Sequence, residues 1–595
     1  MAPNFSKLPL GDFENWTTPH VARLHESRVP HKTFITELNG HTETYGEFIG
    51  KARSLASFLA KIGVRKGDHV AIFCKSTIAA LHGWLAANLL GAVDASINSN
   101  LLGDPLKHVL STARPRVILT EQECLRDLQN AYGGLDGLPV ILVDGALPAP
   151  DPSIDFIFYS YKDALDEAPL DWDKVHVTPL DPCAVMFTSG TTGPSKAVLM
   201  PYGQVCMLAQ QVILNTRLCA EDVFLCVHPL NHIAGKFMGV FASFVAGASI
   251  VLDKRFEAAT WLETVREFDV TISIAHGPMI EMINQRPRTP FDDGHSLKRL
   301  MCCPIPKSLG SAFEERFGLK GIEMWGMTEI TCPCWTSLDG TRETGSCGVA
   351  MTEWFDVEIT DPDTGKFLPN GKVGELVVRP KHPGPMMLQY LNDAEATVKV
   401  WRDLWFHTGD AAWRDERGNF FIVDRLHDRI RRRSENISSF DIEQAALSHP
   451  SIREAAAVGV PSGMESDDDI KLCIVADAGE TPENVLRYLA DRLPHFMMPR
   501  YIEMRESLPR TSTNKVRKRE LRYPSGEGRG GYDFGSSAMM RSIFSGSHCS
   551  SIRNCRTPPS QVRMSAINSF KLSMPRSVNV VMPSSLPSWA WIISP

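Results

Sequence analysis

The chain's densest concentration of phosphate-binding chemistry is the run Met186-Phe187-Thr188-Ser189-Gly190-Thr191-Thr192-Gly193-Pro194-Ser195-Lys196. An apolar strand ends at Phe187, and small hydroxyl residues and glycines follow. Glycines let backbone approach a phosphate closely, hydroxyls and N–H groups donate to its oxygens, and a lysine offsets its charge. Lys196 stands three residues after Gly193, so this is not a Walker A loop, in which the lysine directly follows a glycine. Four later segments carry further candidate chemistry: Trp325-Gly326-Met327-Thr328-Glu329, Trp405-Phe406-His407-Thr408-Gly409-Asp410, Asp424-Arg425-Leu426-His427-Asp428, and Leu508-Pro509-Arg510-Thr511-Ser512-Thr513-Asn514-Lys515. They offer an aromatic face, carboxylates and cations, the side chains a bound nucleotide uses.

These five segments, in this order, resemble the motifs of the superfamily of acyl-CoA synthetases, peptide-synthetase adenylation domains and luciferases, over about residues 10 to 522. The resemblance implies an ATP-dependent ligase that activates a carboxylic acid as an acyl-adenylate and passes the acyl group to coenzyme A. Thr188, Ser189, Gly190, Thr191, Thr192, Gly193 and Lys196 would hold the phosphates, and Trp325 would stack on adenine. Thr328 and Glu329 would meet the phosphates and Mg²⁺, a hard cation suited to carboxylate oxygen. Asp410 and Arg425 would bind the ribose hydroxyls, and His232 would gate the acyl pocket. Lys515 is the expected catalytic cation, stabilising the charge that spreads over the α-phosphate as pyrophosphate leaves. The resemblance also implies a second half-reaction, in which a small domain swings about His427 and a thiol attacks the adenylate.

The sequence departs from the pattern in three places. Arg431-Arg432-Arg433-Ser434-Glu435-Asn436 is similar to a Gly-Gly-Glu-Asn segment lining the pantetheine tunnel, with Arg433 and Ser434 where glycines are usual. Met301-Cys302-Cys303-Pro304 takes the place of a Gly-Gly-Ala-Pro segment beside the adenine, and Asn514 replaces a glycine before Lys515. Ser-Glu-Asn-Ile-Ser-Ser together with Thr-Asn-Lys-Val-Arg-Lys is similar to the crotonobetaine/carnitine-CoA ligase branch, which implies small or medium polar acids. A carrier protein's phosphopantetheine arm is the alternative acceptor, and a non-catalytic nucleotide-binding homologue the alternative function.

The elements that must position these residues are legible from periodicity. Between Thr44 and Thr120 a helix with an apolar face at Phe48, Ala52, Leu55 and Leu59 precedes the strand KGDHVAIF, the helix IAALHGWLAANLLGA, and the strands VDASIN and PRVILT. The strand–helix–strand pattern recurs through VMFTSG, GASIVLD, VTISIA and GIEMWG, which predicts parallel sheet wrapped by helices. After about Lys366, GKVGELVVRP and FHTGDAAWRDERGNFFIVDR read as antiparallel strands turning at Arg417-Gly418-Asn419. A smaller α/β unit follows: helix DIEQAALSHP, strands IREAAAVGV and DIKLCIVA, helix TPENVLRYLADRL. The expectation is an α/β protein with a large domain over 1–424 that includes a β-rich part, and a small mobile α/β domain over 425–522. Residues 523–595, rich in Ser, Pro, Gly and Arg and without an acidic residue after Asp533, are expected to be a disordered tail.

Composition closes off several classes. The 595 residues carry a formal net charge of -7, which argues against a nucleic-acid partner. The longest uncharged, mostly apolar run, Phe237 to Leu252, falls short of the roughly twenty residues of a membrane span. It reads instead as a buried helix entering a buried strand. The N-terminus lacks a secretory signal's apolar core, and the scattered cysteines lack zinc-site spacing, so reduced thiols and a cytoplasmic location are expected.

Overall fold

The computed structural model describes residues 8–131, 137–148, 156–188, 195–305, 309–362, 364–425, 430–432, 435–437, 439–462, 467–509, 516, 518–522 and 532–534. The chain divides into two compact units, 1–543 and 544–595, and the second lies outside the described residues.

Two large, mostly parallel sheets form the body. In the first, Lys320–Met327, Arg299–Cys303, Ile272–His276, Val223–Cys226, Ser249–Leu252 and Thr33–Glu37 lie parallel in that spatial order. Antiparallel strands finish its edges: Thr42–Thr44 at one, Thr331–Trp335 and Val349–Ala350 at the other. The second sheet runs Pro182–Thr188, Val93–Ser96, His69–Phe73, Val117–Thr120, Leu138–Leu142 and Phe156–Ser160 in parallel. Antiparallel Lys196–Pro201 and Gln389–Tyr390 extend it past Pro182–Thr188.

Burial explains why these segments are strands whether or not polar and apolar residues alternate along them. Val93–Ser96, Val117–Thr120 and Ile272–His276 are buried at every position, as parallel strands covered on both faces must be. Helix Ile78–Leu89 is buried everywhere except Ala79, the pattern of a helix held between layers. Helix Tyr45–Lys61 starts at a capping box, in which the Thr44 hydroxyl accepts from the Glu47 N–H while the Glu47 carboxylate accepts from the Thr44 N–H. Phe48, Ala52, Leu55 and Leu59 are all buried, as its periodicity predicts.

Between Thr44 and Thr120 one helix escapes the sequence reading. Gly103–Ala113 lies between the strands at Val93–Ser96 and Val117–Thr120. It opens after Leu102 with no side-chain cap, on Gly103 at φ 53°, although Asp104 stands in its first turn. The apolar run from Phe237 divides as expected: wide π-type turns over Ala234–Phe241 continue into helix Ala242–Ala246, Gly247 ends it at φ 73°, and strand Ser249–Leu252 follows. No helix among the described residues is long and apolar enough to cross a membrane.

Past residue 350 the sheets turn antiparallel. Phe355–Thr360, Gly374–Pro380, Trp401–Arg402, Trp405–Arg414 and Phe420–Arg425 form one sheet, with the Asp415 carboxylate accepting from the Arg417 and Asn419 N–H groups at its turn. The C-terminal α/β part holds hairpin Ile430–Arg432/Glu435–Ile437, helices Ser439–Leu447 and Pro482–Ala490, and a sheet of Ile452–Pro461, Asp468–Ala476, Tyr501–Met504 and Tyr532–Asp533.

That last strand comes from within the expected tail. Tyr532–Asp533 pairs with Tyr501 and Ile502, Phe534 is 5% exposed, and Asp533 forms an ion pair with Arg500 at 3.2 Å. The last acidic residue of the chain thus joins backbone pairing and the buried Phe534 in holding this segment to a sheet edge. The other residues of 523–595 lie outside the described ones.

Candidate functional site

Strands Pro182–Thr188 and Lys196–Pro201 form a hairpin in which Thr188 stands opposite Lys196. The two residues close the loop whose intervening Ser189, Gly190, Thr191, Thr192 and Gly193 lie outside the described residues. The Ser195 hydroxyl donates to the Thr188 carbonyl at 2.9 Å, and His108 Nε2 donates to the Ser195 carbonyl at 2.9 Å. Lys196 Nζ lies 4.7 Å from the centroid of the Tyr390 ring, a cation–π contact that aims the ammonium along the hairpin edge.

Tyr390 connects this hairpin to the segment Trp325–Glu329. Its hydroxyl donates to Glu329 Oε1 at 2.8 Å, so Lys196 and Glu329 touch opposite parts of one side chain. Strand Lys320–Met327 turns sharply into Thr331–Trp335, and Gly326 is what permits it: a Cβ there would sit 2.0 Å from the Thr331 carbonyl oxygen. Helix Tyr202–Thr216 braces the turn from beneath. Gln204 Nε2 donates to the Thr328 carbonyl at 2.8 Å, and Gln211 Oε1 accepts from the Cys332 N–H at 3.2 Å. Both glutamines are fully buried and sit seven residues apart, on one helix face.

Trp325 Nε1 donates to Asp410 Oδ2 at 3.1 Å, which joins the first sheet to the antiparallel one. Asp410 stands opposite Arg425 in the pairing of Trp405–Arg414 with Phe420–Arg425. Beside it, Thr408 donates to the Leu376 carbonyl at 2.6 Å and accepts from the Asp410 N–H at 3.1 Å, while Glu375 accepts from the Gly409 N–H at 3.2 Å and meets His407 Nδ1 at 2.8 Å. Thr188, Lys196, Trp325, Thr328, Glu329 and Asp410 thus belong to one connected constellation. Its oxygen donors, the carboxylates of Glu329 and Asp410 with the hydroxyls of Thr188 and Thr328, are hard ligands of the kind Mg²⁺ takes. The grouping Glu121, Glu123 and Cys124, whose ligand atoms lie within 4.8 Å of one another, is elsewhere, where Lys75 already pairs with Glu123. Arg433, Ser434, His427 and Lys515 lie outside the described residues, as does the side chain of Arg425.

The remaining predicted residue, His232, sits at the carboxyl edge of the first sheet, just past strand Val223–Cys226. Its Nδ1 accepts from the Ala234 N–H at 3.2 Å, and its ring centroid lies 6.0 Å from that of His276. His276 ends its strand in register with Cys303 of the Met301–Pro304 segment. Two buried groups here were not read from the sequence. His228 packs edge-to-face on His276 at 4.4 Å, and burial, aided by the nearby His232, pushes its imidazole down to about 3. Lys236, 1% exposed, reaches Asp94 Oδ2 at 2.5 Å and also donates to Ser96; burial lowers its basicity and Asp94 works against that. A fully buried lysine needs such a partner, but its Asp94 lies more than a hundred residues away in sequence, out of reach of any spacing argument. Tyr390 was equally hidden, in a strand of two residues.

The chain is similar to known proteins over most of its length. The profile described as AMP-binding enzyme matches residues 23–391, and that described as AMP-binding enzyme C-terminal domain matches 441–515. A feruloyl-CoA synthase from Amycolatopsis sp. is 30% identical over 500 residues, covering 83% of this chain and 96% of its own. A crotonobetaine/carnitine–CoA ligase from Escherichia coli is 28% identical over 505 residues, with 83% and 96% covered. A 4-coumarate–CoA ligase from Oryza sativa subsp. japonica is 28% identical over 534, with 87% and 94% covered. Among solved structures, an o-succinylbenzoate CoA synthetase from Bacillus subtilis superposes with a TM-score of 0.74 at 22% identity, over 85% of this chain and 98% of its own. An amide bond synthetase from Marinactinospora thermotolerans gives 0.72 at 23%, over 84% and 99%. At these identities the superpositions speak for the fold alone.

Proposed function

Because the chain belongs to the family of AMP-binding enzymes, we propose that it is an ATP-dependent, AMP-forming acyl-CoA ligase. In the first half-reaction an oxygen of the acid's carboxylate bonds to the α-phosphorus of ATP while the bond to pyrophosphate breaks. In the second, the thiol of coenzyme A loses its proton and bonds to the acyl carbon, and AMP leaves. The observation that carries this reading is the Lys196–Tyr390–Glu329 chain, which brings a cation from the phosphate loop and a carboxylate from the Trp325–Glu329 turn to one place.

In this reading Thr188, Ser189, Gly190, Thr191, Thr192, Gly193 and Lys196 bind the phosphates, and Thr328 and Glu329 position them with Mg²⁺. The metal, when bound, offsets phosphate charge. Trp325 meets the adenine, Asp410 and Arg425 the ribose, and His232 the acyl group. Lys515 stabilises the transition state of adenylation, and Arg433 and Ser434 line the path of the thiol. The chain then divides into a nucleotide-binding domain over 1–424, a small domain over 425–522 that swings between half-reactions, and residues 523–595 beyond them. It works in the cytoplasm on a small carboxylic acid.

Mass spectrometry of AMP and thioester across a panel of carboxylic acids, with and without coenzyme A, is the direct test. Thioester that depends on ATP, acid and coenzyme A together supports the ligase. Adenylate that is transferred only to a carrier protein's phosphopantetheine arm would replace it with a loading enzyme.

A further inference from the structure

Helix Gly103–Ala113 reaches the phosphate loop at Ser195. His108 Nε2 donates to the Ser195 carbonyl at 2.9 Å, while the Ser195 hydroxyl donates to the Thr188 carbonyl at 2.9 Å. A carbonyl oxygen only accepts, so Nε2 carries a proton whatever the charge of the ring. Ser195 is thus held twice, across the hairpin by its side chain and from the helix by its backbone. The second hold bears directly on Lys196. The Ser195 carbonyl and the Lys196 N–H belong to one planar peptide unit, so fixing the first fixes the second. With that plane fixed and Lys196 paired opposite Thr188, the side chain of Lys196 leaves the hairpin in one set direction.

The helix is a firm base for such a hold. Leu106, Val109, Leu110 and Ala113 bury one face of it, in a cluster with Ile118 and Leu125. His108 is half-buried and outside that cluster, so its ring adds little to the core. Near the helix's far end the Thr112 carbonyl accepts from Asn392 Nδ2 at 3.0 Å. Asn392 has φ 58°, a left-handed conformation that asparagine tolerates, and it stands two residues after Tyr390. Between them the Leu391 N–H donates to the Ala197 carbonyl at 2.7 Å. One helix therefore grips the chain just before Lys196 and just after Tyr390, the two partners of the cation–π contact. A loop rich in glycine has the most conformational freedom to lose, and a hydrogen bond from a rigid helix at its end removes part of that freedom before any ligand arrives.

We propose that His108 is a positioning residue for ATP: its hydrogen bond to the Ser195 carbonyl sets the direction in which Lys196 meets the phosphates. This rests on the ligase reading above, in which Lys196 binds those phosphates. His108 acts through Lys196 alone, so it bears on ATP and not on the choice of acid.

The test is a double-mutant cycle on ATP affinity, measured by titration calorimetry of the full chain with ATP and Mg²⁺ and no acid. His108→Leu should weaken ATP about fivefold to tenfold, the scale of one lost hydrogen bond. In a Lys196→Ala background the same change should cost less than about twofold, because residues that act through one another are not additive. His108→Gln, whose amide nitrogen keeps a donor, should stay within about twofold of wild type. A merely structural histidine would instead weaken ATP equally in both backgrounds. An affinity unmoved by His108→Leu, an equal loss in both backgrounds, or a His108→Gln protein as weak as His108→Leu would each overturn the proposal while leaving the ligase intact. An affinity unmoved by Lys196→Ala would take Lys196 away from the phosphates, and this proposal with it. A wild-type chain that binds no ATP would overturn the ligase reading itself.

Discussion

The two ends of the carboxyl edge of the first sheet are built differently. At the proposed nucleotide end the constellation is tied together across elements: Glu329 to Tyr390, Trp325 to Asp410, and the Thr328 carbonyl to Gln204. Such cross-bracing presets donors and charges, which is how an active site stabilises developing charge without reorganising. At the other end the polar groups are just as buried, yet neither nitrogen of His228 has a hydrogen-bond partner among the described residues. Its imidazole is held by packing instead, edge-to-face on the His276 ring at 4.4 Å. Changes at the nucleotide end should therefore slow every acid alike, whereas changes at the histidine end should re-rank acids.

The largest effect belongs to the brace beneath the histidine end. Lys236 ties the turn that follows His232 to the second sheet through Asp94. Lys236→Met leaves the Asp94 carboxylate buried without its cation, a loss of about 3–5 kcal/mol. A strongly lowered thermal midpoint is expected, largely restored when Asp94→Leu is added, since replacing both partners by apolar residues is often near neutral. A midpoint unmoved by the single change would mean the pair is not what holds these layers together.

Next comes Lys515→Ala, expected to slow acid-dependent pyrophosphate release about a hundredfold or more for every acid tested, the scale of losing a preorganised charge stabiliser. Thioester formation from a pre-made acyl-adenylate should suffer far less. Equal loss in both half-reactions would show that Lys515 serves both steps or the fold. Removing the segment after Arg522 should take away the edge strand Tyr532–Asp533 and the buried Phe534, with an expected cost of about 1.5–3 kcal/mol to the C-terminal sheet. A cut after residue 543 keeps them. Chains ending at the two points should differ in proteolytic resistance of the C-terminal part, and neither should re-rank acids.

Tyr390→Phe is smaller and sharper. It keeps the ring beside Lys196 and removes only the hydroxyl that holds Glu329, so about a tenfold fall in adenylation is expected, equal for all acids, for the loss of one hydrogen bond to a charged group. A fall that varies with the acid would erase the distinction between the two ends.

What the sequence disclosed follows the same division. Thr188, Lys196, Trp325, Thr328, Glu329 and Asp410 were legible because each lies in a short segment of distinctive residue types, and helices such as Tyr45–Lys61 because periodicity and caps agree. Tyr390, Gln204 and Asp94 were not, because their importance lies in partners 61, 124 and 142 residues away. The Gln204 and Gln211 pair left a usable trace, two large polar residues seven apart on a mostly apolar helix. His228 left none, since a lone histidine before a proline has no spacing to interpret.

The gentlest test of the difference uses pH and needs no substrate. Burial holds the His228 imidazole down to about 3, whereas an unfolded chain's histidine protonates near the ordinary value of 6.5. Its neutral form is therefore favoured by folding, so the associated stability is complete above about pH 6.5 and is lost as pH falls toward 3. Each unit of the pH fall within that window costs at most about 1.4 kcal/mol. Between pH 7 and pH 5.5 the wild-type protein should lose roughly 1 kcal/mol more than His228→Leu, in which nothing titrates at that position. The measurement is the thermal midpoint of both proteins across this range, at constant ionic strength. Parallel curves would mean that His228 is hydrated or partnered when folded, and the two ends of the edge would then be equally complete.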